Sequence, residues 1–160
     1  MKLTEFIYRS VILGPEIRTL EQAISAMLEG LSSNQLPPHL VPEILAAVMR
    51  REKTSSTAIG RGMAIPHAGR LPIDRVVGVV AVSESGIEAD SIDGRPVSVV
   101  ILLLLPPPPP NEHRLYRPET EVLWRFLRND EFYSCLRQAR TEEEIEAVLK
   151  TADATFAVRD

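Results

Sequence analysis

The stretch Arg51 to His67 reads R-E-K-T-S-S-T-A-I-G-R-G-M-A-I-P-H. It leaves a helical pattern, crosses Gly60 and Gly62 on either side of Arg61, and runs through the short apolar segment Met63-Ala64-Ile65 into Pro66-His67. Glycine relaxes the steric limits on φ and lets backbone or ligand approach closely. Pro66 has no N–H and biases Ile65 toward extended geometry, which predicts His67 just past a short strand, on a stiff backbone. Imidazole titrates near ~6.5, so a free ring nitrogen is well populated at neutral pH and His67 is a candidate nucleophile or general base. On spacing alone, a lone histidine beside apolar residues is more often an ordinary packed or surface residue.

Working outward, Thr19 and Gln22 have capping-box spacing, and Leu20, Ala23, Ile24, Met27, Leu28 and Leu31 follow at helical intervals. Gly30, Ser32, Ser33 and Asn34 stop that helix. Pro37-Pro38 opens a second helix to about Arg51, with Val41, Ile44, Leu45, Val48 and Met49 on one face. Met1 to Pro15 is weakly patterned and is expected to pack Phe6, Ile7, Val11, Ile12 and Leu13 onto the core. Downstream, Ala68 to Pro72 reads as loop and Val76 to Val82 as a buried strand, while Glu84 to Gly94 is polar and turn-rich. Val97 to Leu105 is nearly all apolar, as expected of a central strand covered on both faces. Pro106 to Pro110 predicts a stiff extended connector leaving the sheet. Helices are expected over Glu121 to Arg128, with Trp124 off the main stripe, over Glu131 to Ala139, and after a capping box at Thr141 and Glu144. Helices before and after two apolar strands imply an α/β domain with a central sheet; strand order stays open.

Composition narrows the function classes. The 160 residues suit one domain with one substantial core. A formal net charge of −4, a pI near 5.5 and the lack of a basic block argue against nucleic-acid binding. Cys135 is the only cysteine, which fits a reducing compartment, and nothing beside it suggests an activated thiolate. No signal peptide is read at the N-terminus, and the longest apolar run falls far short of the ~20 residues of a membrane helix, so a soluble protein without membrane insertion is expected. His39, His67 and His113 form no short ligand pair, so no metal is expected, and His39 is read as solvent-facing. No Gly-x-x-x-x-Gly-Lys-Ser/Thr motif is present, which argues against ATP. No cofactor is expected.

The run T-A-I-G-R-G-M-A-I-P-H resembles the signature of enzyme IIA domains of the fructose/mannitol class of the bacterial phosphotransferase system, including their nitrogen-regulatory relatives. Thr57, Ile59, Gly60, Gly62, Ala64, Ile65, Pro66 and His67 carry the match. Asp93-Gly94-Arg95-Pro96-Val97 resembles the D-G-x-P-V that such domains carry before their central strand. The likeness runs from about Leu13 to Lys150. It implies a single α/β domain, a central mixed β-sheet flanked by helices of the phosphotransferase/anion-transport-like kind, working in the cytoplasm. It implies His67 as phosphoacceptor and Arg51, Thr57, Gly60 and Gly62 as donors to the phosphoryl oxygens. Arg51 is equally well placed to neutralise a helix C-terminus. The family usually places an assisting histidine in a motif like H-L-x-x-L-x-x-L-A. Ungapped alignment back from Phe126 to Asp130 puts Tyr116 at that position, and a three-residue shift is needed for His113 to serve. Trp124 replaces a usual small residue of that helix, which suggests a reshaped partner face.

Three functions follow from the resemblance. One is a transport phosphocarrier, passing a phosphoryl group from the carrier protein HPr to a sugar-specific IIB domain. Another is a regulatory phosphohistidine protein whose modification switches affinity for a target protein, and this is ranked first because the chain shows no IIB or IIC segment and its second histidine is degraded. The last is an unmodified interaction module, whose mark would be an occluded His67.

Overall fold

A computed structural model of the chain describes residues 1–110 and 117–157. His113 and Tyr116 therefore lie outside the described residues. The elements are β1 (Ile7–Leu13), α1 (Leu20–Glu29), α2 (Val41–Thr54), β2 (Ala58–Gly60), β3 (Met63–Ala64), β4 (His67–Ala68), β5 (Val77–Ile87), β6 (Val97–Leu104), α3 (Pro118–Leu127), α4 (Asp130–Gln138) and α5 (Glu142–Ala157), with 3-10 turns at Leu3–Glu5 and Pro38–Leu40.

The strands form one mixed sheet in the order β1-β5-β6-β3-β2, with β4 also on β6. β6 pairs antiparallel with β5 and parallel with β3 and β4. Its side chains alternate between two cores. Val99, Ile101 and Leu103 pack beneath α3, α4 and α5; Val100, Leu102 and Leu104 pack beneath α1 and α2. Burial on both faces explains why this strand reads as an unbroken apolar run. The result is a single α/β domain with helices on both sides of a mixed sheet.

Local chemistry fixes the helix starts. Thr19 Oγ1 accepts from Gln22 N at 3.2 Å while the Gln22 side chain accepts from Thr19 N, and Thr141 Oγ1 accepts from Glu144 N at 3.1 Å. The proline connector leaves the sheet after β6, and Arg117 pins it by donating to the carbonyls of Pro106 and Pro107 at 2.7 and 3.1 Å. Among the described residues no helix is long and apolar enough to cross a membrane.

Three expectations need correction. The weakly patterned N-terminal segment contains β1, an edge strand pairing in parallel with β5 from Ile7↔Gly78 to Leu13↔Ser83. The polar segment after Val82 is still strand: β5 runs on to Ile87 across an irregular register. Finally, α2 extends past Arg51 to Thr54, so Arg51 and Glu52 belong to its last turns.

The signature itself opens as a tight hairpin. β2 and β3 are antiparallel with Gly60 opposite Met63, leaving Arg61-Gly62 as a two-residue loop. Both loop residues have positive φ, 61° and 80°, the requirement of a type I′ hairpin turn. Glycine adopts this freely, whereas arginine does so at a cost of about 1–2 kcal/mol. Arg61 is held there at both backbone ends. Its N–H donates to Asp93 Oδ2 at 2.9 Å, and its carbonyl accepts from the Tyr133 hydroxyl. Asp93, the acid of D-G-x-P-V, also accepts from Arg95 N and the Ser91 hydroxyl. The second motif thus clamps the turn of the first.

Two outcomes follow from this turn. A Cβ on Gly62 would stand 2.8 Å from the Tyr133 hydroxyl at a φ of +80°. Gly62→Ala is therefore expected to cost at least the about 1–2 kcal/mol of the backbone term, read as a lower urea midpoint with unchanged slope. The Asp93 carboxyl is held below its ordinary value of 3.8, first by the Arg61 N–H, then by Arg95 N–H and the Ser91 hydroxyl. Its stabilisation is present above about pH 3.8 and is lost as pH falls through the lower folded-state value. Asp93→Asn should lower the urea midpoint at neutral pH, and the gap to the parent protein should close on acidification below that range.

Candidate functional site

Pro66 makes the site. β3 and β4 lie on one line along β6, with Met63 opposite Val99 and His67 opposite Leu103. Pro66 interrupts that line because it has no N–H to offer the ladder, although its carbonyl still accepts from Leu103 N at 3.0 Å. His67 resumes pairing beyond the break and is half-buried. It sits within the resumed strand rather than just past one.

The imidazole is oriented by the signature's own backbone. His67 Nδ1 lies 2.9 Å from the Ile65 carbonyl oxygen, which only accepts. In the neutral ring Nδ1 therefore carries the proton, and Nε2 keeps its lone pair. Ile65 is fixed in turn, since its N–H donates to the Thr57 carbonyl at 3.1 Å. Thr57 is fixed by Glu52, whose two carboxylate oxygens accept from Thr57 N at 2.9 Å and from the Thr57 hydroxyl at 2.7 Å. A chain of hydrogen bonds thus runs from the end of α2 to the histidine ring.

His67 opens into a cleft of ≈ 390 Å³ that also takes in Arg51, Ser56, Thr57, Leu103 and Trp124. The walls are mostly apolar. Trp124 and Ile59 are 42% and 40% exposed and present apolar surface on this cleft. Arg51 lines the cleft and also donates to the Ser55 carbonyl at 3.0 Å, so it serves the helix C-terminus and the site together. That bond uses one of the five N–H donors of its guanidinium.

The structure brings Arg51, Thr57 and His67 into one cleft. Thr57, however, spends its hydroxyl proton on Glu52. Gly60 and Gly62 are in the hairpin turn and are not among the described residues lining the cleft. His113 cannot be placed, since it lies outside the described residues. His39 is exposed, as read from the sequence.

Two residues of this site were given no role from the sequence. Ser56 lines the cleft with its hydroxyl oxygen accepting from Ala58 N at 3.1 Å, which leaves the hydroxyl proton to donate. Glu52 carries the clamp. Its signal was present: an acid in the last turns of a helix opposes the macrodipole, so it calls for a specific partner.

With this geometry in place, the sequence matches the family described as phosphoenolpyruvate-dependent sugar phosphotransferase system, EIIA 2, over residues 6–152. A nitrogen regulatory protein of Bradyrhizobium diazoefficiens is 30% identical over 159 residues, covering 98% of this chain and 100% of the relative. The fold is similar to the crystal structure of the nitrogen regulatory protein IIA-Ntr from Neisseria meningitidis, with a TM-score of 0.69, 23% identity, and coverage of 87% of this chain and 92% of that one. It is also similar to enzyme IIA mannitol from Escherichia coli, solved in complex with phosphorylated enzyme IIB mannitol, with a TM-score of 0.65, 21% identity, and coverage of 88% and 94%. Sequence match, relative and fold agree on one conclusion: the chain belongs to the EIIA type 2 family of the phosphoenolpyruvate-dependent sugar phosphotransferase system.

Proposed function

We propose that His67 accepts a phosphoryl group on Nε2 from an HPr-like phosphohistidine carrier and that the modified protein regulates a target protein. The observation that carries this reading is the 2.9 Å contact from His67 Nδ1 to the Ile65 carbonyl. It leaves Nε2 as the nucleophile of a half-buried imidazole that opens into a cleft.

In the transfer, the Nε2–phosphorus bond forms as the phosphorus–nitrogen bond of the donor phosphohistidine breaks, and the donor ring leaves with the electron pair. His67 keeps its proton on Nδ1, and the ring's new positive charge is met by the Ile65 carbonyl. The transition state of phosphoryl transfer is loose, so the protein's work is alignment and charge stabilisation. The remaining donors of Arg51 and the Ser56 hydroxyl suit the phosphoryl oxygens. Thr57 and Glu52 act as positioning residues through the clamp described above. Gly60 and Gly62 contribute by forming the turn that starts β3. No part of this chemistry calls for a cofactor.

The regulatory assignment is supported by a relative named for nitrogen regulation that matches along its whole length. The accessibility of His67 within the cleft weighs against a role as an unmodified interaction module. Transfer onward to a sugar-specific IIB domain uses the same chemistry and differs only in recipient.

Incubation with phosphoenolpyruvate, enzyme I and HPr should give an acid-labile phosphoryl adduct by intact mass, absent from His67→Ala. Arg51→Ala should accept it about 10²-fold more slowly. No adduct with a matched HPr would overturn the reading. Rapid discharge to a IIB domain would assign transport in place of regulation. Glu52→Ala should cost about 1.5–3 kcal/mol of stability by leaving the Thr57 donors unpaired, and should slow phosphoryl acceptance while Glu52→Gln retains part of both.

A further inference from the structure

A second concavity, of ≈ 250 Å³, lies at the opposite end of β6 from His67, around Ser98. The sheet itself creates it. Val82 pairs with Val99 and Ile87 with Val97, so residues 83–86 of β5 face Ser98 alone. Such an excess bends the strand away from its partner and leaves backbone groups out of the ladder. Into the gap come three arginines from three separate elements: Arg61 of the hairpin turn, Arg95 before β6 and Arg137 of α4. Ser85, Ser98 and Tyr133 add hydroxyls.

The charges around it are not fully matched. Glu84 is the one carboxylate among the described lining residues, and it pairs with Arg140 at 3.5 Å. Arg61 pairs with Asp130 at an exposed position, and Arg95 stands 4.0 Å from Asp93 while remaining largely exposed. Arg137 forms no ion pair among the described residues. Arg61 is moreover held in a conformation that arginine rarely adopts, by bonds to both of its backbone groups. Strain of this kind persists only where surroundings enforce it, and it gathers at ligand sites.

We propose that this concavity binds a compact phosphate-type oxyanion, either inorganic phosphate or a small phosphomonoester. Guanidinium forks pair with tetrahedral oxyanions through parallel N–H···O bonds, and the serine hydroxyls supply neutral donors between them. At ≈ 250 Å³ the concavity has room for a small anion. The site uses neither His67 nor Arg51, so it is independent of phosphoryl transfer.

The test is a titration of the ¹⁵N-labelled protein with inorganic phosphate, and in a second arm with glycerol 3-phosphate, at constant ionic strength. Saturable amide shifts are expected at Arg61, Gly62, Ser85 and Arg137. Arg137→Ala and Arg95→Ala should each weaken binding by about tenfold or more, with Arg51→Ala unaffected. Tighter binding of either ligand identifies which source of the oxyanion the site prefers. Shifts that do not saturate, affinity unchanged in both arginine variants, or shifts centred on His67 and lost in Arg51→Ala would each overturn the proposal.

Discussion

The site depends on a single missing hydrogen-bond donor. β6 satisfies the signature's backbone on either side of Pro66, holding Met63 and Ala64 before it and His67 and Ala68 after it. An N–H at residue 66 would extend the ladder and make one continuous strand. With proline there, the backbone is stiff and the pairing is broken for one step, so the imidazole stands at a defect in an otherwise closed sheet. The defect is tolerable because β6 is anchored elsewhere, buried on both faces and paired along its length with β5. Rigidity at the histidine is therefore borrowed from the most buried strand of the protein.

The hydrogen-bond chain that ends on His67 shows how little side-chain chemistry orienting a ring requires. One of its three links is wholly backbone, Thr57 O with Ile65 N, and a second joins the backbone carbonyl of Ile65 to the ring's own Nδ1. Apart from the ring itself, the side chains enter only at the anchoring link, whose acceptor is a charged carboxylate. Hydrogen bonds to a charged acceptor are worth roughly twice neutral ones, so the carboxylate of Glu52 secures the start of β2 where a neutral residue would hold it weakly. Asp93 does the same for the hairpin turn at the other end of β3. Both carboxylates act on backbone N–H groups, so charge clamps the start of β2 and the hairpin turn, while β6 holds the signature from Met63 to His67.

How much of this was legible depended on the range of the interactions. The capping boxes at Thr19 and Thr141 and the apolar run of β6 are local or one-dimensional signals, and the sequence expresses them directly. β1 was not legible, because Tyr8, Arg9 and Ile12 are only partly buried and its register irregularity blurs the alternation expected of an edge strand. The extension of β5 beyond Val82 was hidden for the same reason: an irregular ladder leaves polar residues that read as a turn. At the site, resemblance pointed to Arg51, Thr57 and His67, which the structure places in one cleft. It gave no account of Glu52 or Ser56, whose parts come from hydrogen bonds rather than from residue type. Gly60 and Gly62 answer to backbone geometry, a requirement that a phosphoryl-binding glycine loop and a hairpin turn share.

The composition of the His67 cleft bears on why phosphorylation there would act as a switch. Among the described residues, apolar walls of Ile65, Leu103, Leu123 and Trp124 surround Arg51 and the imidazole. A phosphoryl group adds roughly two negative charges and strong acceptor oxygens, far more than the guanidinium of Arg51 neutralises. The nearby exposed faces of Trp124 and Ile59 would then adjoin a strongly hydrated anion in place of a neutral ring. A partner that covers those apolar faces must desolvate that charge or pair it with its own cations. On that reading, modification would repel partners lacking such cations and recruit partners carrying them. The same rim can therefore distinguish two classes of protein without any change in fold.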